Sequence, residues 1–455
     1  MIDLKRLIQA AVVAAGTLLV WGSCSGASWQ VELTASYDTI YEEARFEKYN
    51  DFQLRLVGTG GVSVDWGDGS VERLELKIEL KTEPGERGTT LSHRYRAFGS
   101  YPVRIVGQDG TLVELDLCTE RKTENRNCYT TLQIRGGEML SVLNCASNRR
   151  LTQLDIRHLT ALQELNSSNC GLETLRLGKN AQLRELRCFG NPALTELELG
   201  GLPGLQLLIG DECGLTALDL RANEQLRRLS CTRNKLKRLD LSRNTQLSGL
   251  ECSHNPLTTL DLGANPRLGL LMCNECNLTK LDLRANPRLR YLTCSGNALT
   301  ELDLSRNAVL GTLVCSDNAL TRLDFHREAK LYMLWCQNNR LTVLDVGGLP
   351  LMLLECQNNR LTELSVQGCN KLSSLNLDRN PLSNSALNRI YEELPDRSAA
   401  NESGVVWVAP KSPGNRSIAE AKNWTVLEWT PEREKLWLQE REENESRYGD
   451  WPSIP

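Results

Sequence analysis

The stretch Leu289–Asn307 reads LRYLTCSGNALTELDLSRN, and Leu310 opens another copy of the same pattern. Written generally, the unit is L-x-x-L-x-C-x-x-N-x-L-x-x-L-D-L-x-x-N, and most copies start 21 residues apart. A fixed period of this size is typical of a solenoid, in which each coil is too small to bury its own apolar side. Twelve copies start at Leu140, Leu162, Leu183, Leu205, Leu226, Leu247, Leu268, Leu289, Leu310, Leu331, Leu351 and Leu372.

The repeat resembles the leucine-rich repeat, whose signature is L-x-x-L-x-L-x-x-N/C-x-L. In that family the first half of each unit is a short strand, and stacked copies form a parallel sheet on the concave face. The resemblance covers about residues 130–382 and implies a mainly β fold, a parallel leucine-rich-repeat solenoid of about twelve coils. With strands about 4.8 Å apart, such a solenoid extends on the order of 55 Å.

Two places of the unit are predicted to point into the solenoid. Cysteine recurs at the sixth place, as in Cys252 and Cys294, and we expect it to fill a buried slot as a small hydrophobe. Asparagine recurs at the ninth place, where its amide is expected to bond the backbone at the bend. Cysteine stands in for asparagine there in some coils, as it does in the family, for example at Cys170 and Cys276.

The chain has 16 cysteines, a number that in a secreted protein would indicate a disulfide framework. Thirteen of them fall in the repeat register, so we expect them to be buried thiols. In-register neighbours are spaced more widely than a disulfide allows, and a linear ladder does not offer a metal ion four convergent ligands. Cys118 and Cys128 lie outside the array, and their pairing in an oxidising compartment stays open.

Residues 1–24 are predicted to be a signal sequence, with a basic start and an apolar run, Leu7–Val20, that is short for a membrane span. Cys24 ends a stretch that resembles a relaxed bacterial lipoprotein box, and in that family this cysteine is lipidated. Ordinary cleavage after Ala27 is the alternative. We therefore expect a protein of the bacterial cell envelope, lipid-anchored at the outer membrane or cell surface, or secreted. The membrane would be contacted only through the lipid anchor.

Residues 29–118 alternate like the short strands of a β-sandwich. Asp65–Gly69 (DWGDG) is a turn-forming stretch, and His93–Tyr95 (HRY) and Gly99–Val103 (GSYPV) follow downstream. Together they resemble the PKD-type immunoglobulin-like sandwich, which carries W-G-D-G and a later H-x-Y…G-x-Y-x-V. In that family these residues are structural, and a calcium loop at the two aspartates is the alternative. Leu112–Leu117 copies the return half of the repeat, so we expect the sandwich to run straight into the solenoid.

The repeat period stops after Leu382. Residues 383–429 are predicted to form helix, strand, helix and strand, which resembles the small α/β end cap of bacterial cell-surface leucine-rich-repeat proteins. Such a cap would cover the apolar end and the unpaired strand edge of the last coil. Residues 430–455 are charged and contain proline, and they are predicted to be a loosely ordered tail, with a partner-binding tail as the alternative.

The sequence carries no recognisable catalytic constellation. It lacks the common hydrolase, phosphate-binding and zinc-protease motifs, and its four histidines fall in separate modules or distant coils. We therefore predict neither catalysis nor a metal or other cofactor. The formal net charge of −4 argues against nucleic acid as a partner. An aspartate recurs at the fifteenth place, as in Asp219 and Asp282, and we expect local hydrogen bonds and ion pairs to hold it, with a calcium-binding ridge as the alternative.

The variable places beside the buried slots are where a partner would make contact. Large apolar groups there need a reason, and Trp or Tyr among amides suits a protein loop or a sugar. We predict an exported, non-enzymatic protein that binds a protein partner through the concave face, as in internalin-like adhesins. A carbohydrate-binding surface lipoprotein of a glycan-uptake system is the alternative. The candidate ligand-binding residues are Tyr291, Met333, Trp335, Gln337, Asn338, Glu355, Gln357 and Asn358.

Overall fold

The protein is seen here in a computed structural model, and its described residues form two compact units. The first unit ends at Leu194 and the second begins at Thr195. Residues 1–28 with Cys24, Cys128 and the tail over 430–455 lie outside the described residues. The described ranges are 29–37, 51–77, 88–95, 99–108, 111–118, 129–326, 328–400, 402–409 and 414–428.

The first unit begins with two antiparallel sheets. One has the strand order β4-β3-β6-β1-β8, and β2 lies between β5 and β7 in the other. The rings of Phe52 and Tyr129, one from each sheet, meet edge to face at 5.9 Å, so the sheets enclose a common core. The strands are β1 (Trp29–Tyr37), β2 (Asp51–Gly58), β3 (Gly60–Asp65), β4 (Val71–Leu76), β5 (Thr89–Arg94), β6 (Gly99–Gln108), β7 (Leu112–Asp116) and β8 (Tyr129–Arg135).

The DWGDG stretch closes the β3–β4 hairpin. The Asp65 carboxylate accepts a hydrogen bond of 2.9 Å from the backbone N–H of Gly67, whose φ of 80° favours glycine. The Tyr95 hydroxyl donates to the backbone carbonyl of Trp66 at 2.8 Å, and the His93 ring stacks on the indole of Trp66 at 4.9 Å between ring centroids. These side chains therefore hold the hairpin structurally, as the sequence predicts.

Two strands correct the predicted boundary between sandwich and solenoid. Tyr129–Arg135, placed at the start of the repeats, pairs antiparallel with β1 and completes the sandwich. Leu112–Asp116 does not form a return edge: β7 pairs antiparallel with β2 and parallel with the first concave strand. The alternation of β7 fits a sheet strand at either place, and only its neighbours decide between them.

The remainder of the first unit is coiled. Its concave strands β9, β11 and β13 pair in parallel, and so do the return strands β10 and β12. The paired residues are related by the repeat period, so each leucine of one strand lies beside the equivalent leucine of the next. The strands are β9 (Val142–Asn144), β10 (Gln153–Asp155), β11 (Glu164–Asn166), β12 (Thr174–Arg176) and β13 (Glu185–Arg187).

The second unit continues the leucine-rich-repeat architecture with a concave parallel sheet and short return strands, and it adds two helices after the last coil. Its elements are β14 (Leu207–Ile209), β15 (Arg228–Ser230), β16 (Gly249–Glu251), β17 (Leu270–Met272), β18 (Tyr291–Thr293), β19 (Leu302–Leu304), β20 (Thr312–Val314), β21 (Leu323–Phe325), β22 (Met333–Trp335), β23 (Val343–Asp345), β24 (Leu353–Glu355), β25 (Glu363–Ser365), β26 (Ser374–Asn376), α1 (Asn384–Glu393), β27 (Gly404–Val408), α2 (Ser417–Glu420) and β28 (Trp424–Glu428). The fold class is therefore mainly β, a solenoid preceded by a sandwich and followed by a small α/β segment.

The C-terminal segment extends the concave sheet. Ser383 caps α1 by accepting a hydrogen bond of 3.2 Å from the backbone N–H of Ala386. The helix buries Leu387, Ile390 and Tyr391. Strand β27 pairs in parallel with β26, and β28 pairs with β27. The strand edge of the last coil is thus covered by hydrogen-bonded strands, which is the role predicted for the cap.

The predicted buried slots are confirmed. The sixth-place thiols of Cys252 and Cys294 are fully buried, and burial raises the pKa of the Cys294 thiol to about 12. The ninth-place Asn255 donates to the carbonyls of Cys231 and Cys252 at 2.9 and 3.0 Å, and it accepts from the N–H of Leu236 at 3.0 Å. The Asn255 amide thus ties its own coil to the preceding one.

The eighth place of all twelve coils is left-handed, with φ between 51° and 69°. Only two of these residues are glycine, although a side chain makes this conformation costly by about 1 to 2 kcal/mol. The bend that follows each concave strand therefore demands this conformation whatever residue is present. The residues are Ser147, Asn169, Gly190, Glu212, Arg233, His254, Glu275, Gly296, Asp317, Asn338, Asn358 and Arg379.

Candidate binding surface

The candidate residues lie on the concave sheet of the second unit. Pairing in register aligns the fifth place of successive strands, so Trp335 lies beside Glu355 and Glu355 beside Asn376. Strand β27 then adds Trp407 beside Asn376. Adjacent strands are about 4.8 Å apart, so the two indoles stand roughly 14 Å apart at the ends of this row. We call these four residues, Trp335, Glu355, Asn376 and Trp407, the tryptophan row.

Five of the eight candidates remain accessible. Tyr291, Met333 and Trp335 are half-buried on the concave sheet, and Asn338 and Asn358 are exposed at the bend beside it. Tyr291 shares its third-place row with Met333, two strands apart, with Thr312 between them. The sheet therefore brings Met333, Trp335 and the two asparagines together, while Tyr291 stands at the border of the group.

Gln337, Glu355 and Gln357 are buried, which corrects the expectation that they are surface groups. Their exposed fractions are 3%, 6% and 8%. The seventh place of the last five coils holds buried polar residues: Ser295, Ser316, Gln337, Gln357 and Asp378. The hydroxyls of Ser295 and Ser316 bond each other at 2.9 Å in the same row.

Glu355 is a carboxyl held among amides. Its Oε2 accepts a hydrogen bond of 3.0 Å from Nδ2 of Asn376, and the Gln357 side chain bonds it as well. Burial raises the pKa of Glu355 from 4.5 to about 7, and the two amide hydrogen bonds only partly offset this rise. No Lys, Arg or His of the described residues forms an ion pair with it, so its charge has no counterpart in this part of the chain.

The exposed bend carries a directed chain of hydrogen bonds. The side-chain Nδ2 of Asn358 donates to the side-chain Oδ1 of Asn338 at 2.7 Å, and Nδ2 of Asn338 donates to the Asp317 carboxylate at 2.7 Å. Eighth-place side chains of three successive coils are thereby fixed in one orientation. They offer a pre-ordered polar rim beside the tryptophan row.

Sequence reasoning missed some members of this surface. Asn376 occupies the fifth place of the last coil, so its position in the row could have been counted from the register. Trp407 lies in a strand that the sequence predicts for the cap, and nothing in the sequence indicates that this strand continues the concave sheet. Asp378, also buried, pairs with Arg379 at 3.4 Å. Elsewhere, burial raises the pKa of Asp211 to about 6, although Ser230 and Thr232 hydrogen-bond its carboxylate.

The fifteenth-place aspartates are held locally, as predicted. Asp219 and Asp282 each pair with the arginine two residues later at 2.6 Å, and this bonding lowers the pKa of both carboxyls to about 2. Asp261 accepts a hydrogen bond of 2.9 Å from the backbone N–H of Gly263.

Over the described ranges, no three His, Cys, Asp or Glu side chains are grouped so as to hold a metal ion. No helix in those ranges has the length and apolar character of a membrane span.

No protein-family model matches the chain, and no curated protein matches it either. Among solved structures, the chain is similar to the functional domain of InlJ from Listeria monocytogenes, which is described as including a cysteine ladder; identity is 29% over 65% of this chain and 74% of that chain, with a TM-score of 0.45. A leucine-rich-repeat protein of Leptospira interrogans is 24% identical over 56% of this chain and 77% of its own, with a TM-score of 0.46. An internalin (inlF) of Listeria monocytogenes is 18% identical over 70% and 87%, with a TM-score of 0.47.

Proposed function

We propose that this chain is an exported, non-enzymatic binding protein whose concave face holds a protein partner. The observation that supports this most is the accessible group formed by Met333, Trp335 and the Asn358–Asn338–Asp317 rim. Aromatic and methionine side chains are enriched at protein interfaces, and an amide rim fits the polar border of such contacts. These side chains are half-buried or exposed, so packing in the core of the coil does not account for their identity.

Binding, rather than catalysis, is the role that the chemistry of the repeats favours. The sixth-place thiols are buried, and burial raises the pKa of those at Cys294 and Cys315, so these two are poor nucleophiles. The fifteenth-place carboxylates are engaged by arginine, serine or backbone groups.

We also propose that the N-terminal sandwich is a PKD-like spacer, and that Cys24 carries a lipid holding the protein at the bacterial surface or outer membrane.

Carbohydrate binding is the second candidate function. The half-buried Trp335 beside exposed asparagine amides is a combination that can stack on a sugar ring and bond its hydroxyls. A glycan array probed with the full-length protein separates the two candidates. Retention of defined oligosaccharides, lost in Trp335→Ala, would favour the glycan reading over the protein reading.

The test of the main proposal is a comparison of two double variants. The concave variant is Tyr291→Ala with Trp335→Ala, and the control is Val309→Ala with Val343→Ala, which removes two exposed apolar side chains away from the concave sheet. Partners captured by the full-length protein from envelope and host-cell extracts are identified by mass spectrometry. We expect the concave variant to lose them and the control to keep them. Equal capture by both variants would show that the partner sits elsewhere.

The anchor is tested independently. Metabolic labelling with palmitate should mark the mature protein, and Cys24→Ala should abolish the label. A label that persists in this variant would refute lipidation at Cys24.

A further inference from the structure

Buried hydrogen-bond acceptors lie in the tryptophan row and in the seventh-place row beside it. Glu355 offers a carboxylate when ionised, and the amide oxygens of Gln337 and Gln357 have no hydrogen-bond partner among the described residues. Both glutamine side chains are more than nine-tenths buried, and Gln357 is directly bonded to Glu355. A buried acceptor without a donor destabilises the protein by about 1 to 3 kcal/mol. These acceptors are therefore complementary to a ligand group that is rich in N–H donors.

The charges around Glu355 point in the same direction. The thiols of Cys356, which follows Glu355, and of Cys336 on the preceding coil are buried and carry no positive charge. On the next coil Arg379 is already paired with Asp378. Elsewhere in the same fifth-place row the chain supplies its own cation, since Glu251 pairs with Arg228 at 3.5 Å. Among the described residues, Glu355 thus differs from Glu251 in lacking a basic partner.

The two indoles add a second kind of attraction for a cation. Trp335 and Trp407 stand at the two ends of the row, and the face of an indole attracts ammonium and guanidinium groups. Glu355 lies between the two tryptophans in the fifth-place row and keeps 6% of its surface exposed, so a basic side chain would have to enter between the rings to meet its carboxylate.

We propose that the tryptophan row is a receptor for a lysine or arginine side chain of the partner protein, with Glu355 as its counter-ion. This inference rests on the proposed protein-binding function and specifies its chemistry. When the basic group arrives, the Glu355 carboxyl releases its proton to solvent and forms a charge-assisted hydrogen bond with the incoming N–H donors. The released proton and the newly formed ion pair keep the charge of the site balanced.

Peptides displayed on phage and selected on the immobilised full-length protein provide the probe. We expect the selected peptides to be enriched in Lys or Arg. A synthetic copy should bind Glu355→Gln about 10- to 100-fold more weakly than the wild type, which is what loss of a charge-assisted hydrogen bond costs. The matched control is Glu251→Gln, at the same place of another coil, which should bind as the wild type does. Calorimetry at neutral pH in two buffers of different ionisation enthalpy should show proton release on binding to the wild type and none with Glu355→Gln.

The other outcomes are equally decisive. If peptides are selected but lack basic residues, or bind Glu355→Gln as well as wild type, the cation receptor is wrong while the protein-binding function stands. If no peptide is retained and the concave double variant still captures its partners, both are wrong. Retention of a neutral oligosaccharide that depends on Glu355 would overturn the inference in favour of a sugar site.

Discussion

Glu355 and Asn376 face each other across adjacent coils, and the amide of Asn376 donates to the Glu355 carboxylate at 3.0 Å. This hydrogen bond links two in-register side chains of the concave sheet, one of them titratable. A group whose pKa differs between the folded and the unfolded state makes the free energy of unfolding depend on pH.

Stability should fall with rising pH through the titration of Glu355. The unfolded carboxyl titrates near 4.5 and the folded one near 7, so between these values only the folded state keeps the proton. The penalty is absent below about pH 4.5 and complete above about pH 7, where it reaches roughly 3 kcal/mol at most. Glu355→Gln should therefore gain stability relative to wild type as pH rises from 5 to 8, as measured by urea unfolding. A difference between the two proteins that does not change with pH would contradict this assignment.

The left-handed bends should favour glycine. Arg233 holds φ at 54°, and its exposed side chain lies 3.7 Å from the Glu212 carboxylate. We expect Arg233→Gly to raise the free energy of unfolding by about 0.5 to 1 kcal/mol, the relief of left-handed strain less the added entropy of the unfolded chain. Gly296→Ala, at φ 65° in another coil, should lower it by about 1 kcal/mol. Thermal unfolding of the two variants should shift in opposite directions, and equal shifts would count against the bend as the cause.

The ninth-place amide should be replaceable by cysteine but not by alanine. Asn255→Ala leaves buried backbone groups of Cys231, Cys252 and Leu236 without partners, and we expect it to cost about 2 to 4 kcal/mol. Asn255→Cys should cost less, because Cys276 in the next coil already donates its thiol to the Cys252 carbonyl at 3.2 Å. Urea unfolding monitored by circular dichroism would measure both, and a cysteine variant as unstable as the alanine variant would disprove the equivalence.

The sixth-place thiols should behave as apolar packing groups. Cys294 is fully buried, so its thiol should resist alkylation in the folded protein and react only after unfolding. Cys294→Ser places a hydroxyl in an apolar slot and should destabilise the protein by about 1 to 3 kcal/mol. Cys294→Ala loses one buried atom and should cost less than Cys294→Ser does. Mass spectrometry of alkylated native protein checks the first expectation, and rapid labelling there would contradict the packing role.

The sequence predicts the repeated parts of this protein well, because each coil contributes the same residues to the same environment. The burial of Cys252 and Asn255 follows from the period alone, because the same small or amide side chains recur at the same place of most coils. The seventh place was misjudged. Alternation along a strand predicts that Gln337 faces solvent, but the strand already ends at Trp335 and Gln337 is 3% exposed.

Strand pairings and burial that occur at only one place in the chain could not be predicted from the sequence. The assignment of Leu112–Asp116 to the concave sheet depends on which strand edge is unpaired, and the same holds for the strand that carries Trp407. The burial of Glu355 likewise depends on the size of its in-register neighbours. Candidate residues could be chosen from the register, whereas their accessibility and protonation required the three-dimensional arrangement.

Strand β7 has a mechanical consequence. It is hydrogen-bonded to β2 on one side and β9 on the other, and Arg55 of β2 forms an ion pair with Asp116 of β7 at 2.9 Å. A pulling force along the strands, applied between the sandwich and the first coil, would have to shear β7 from a neighbouring strand before the chain could lengthen. Rows of hydrogen bonds loaded in parallel resist such shear together, so this junction is a rigid coupling that transmits tension instead of an extensible hinge.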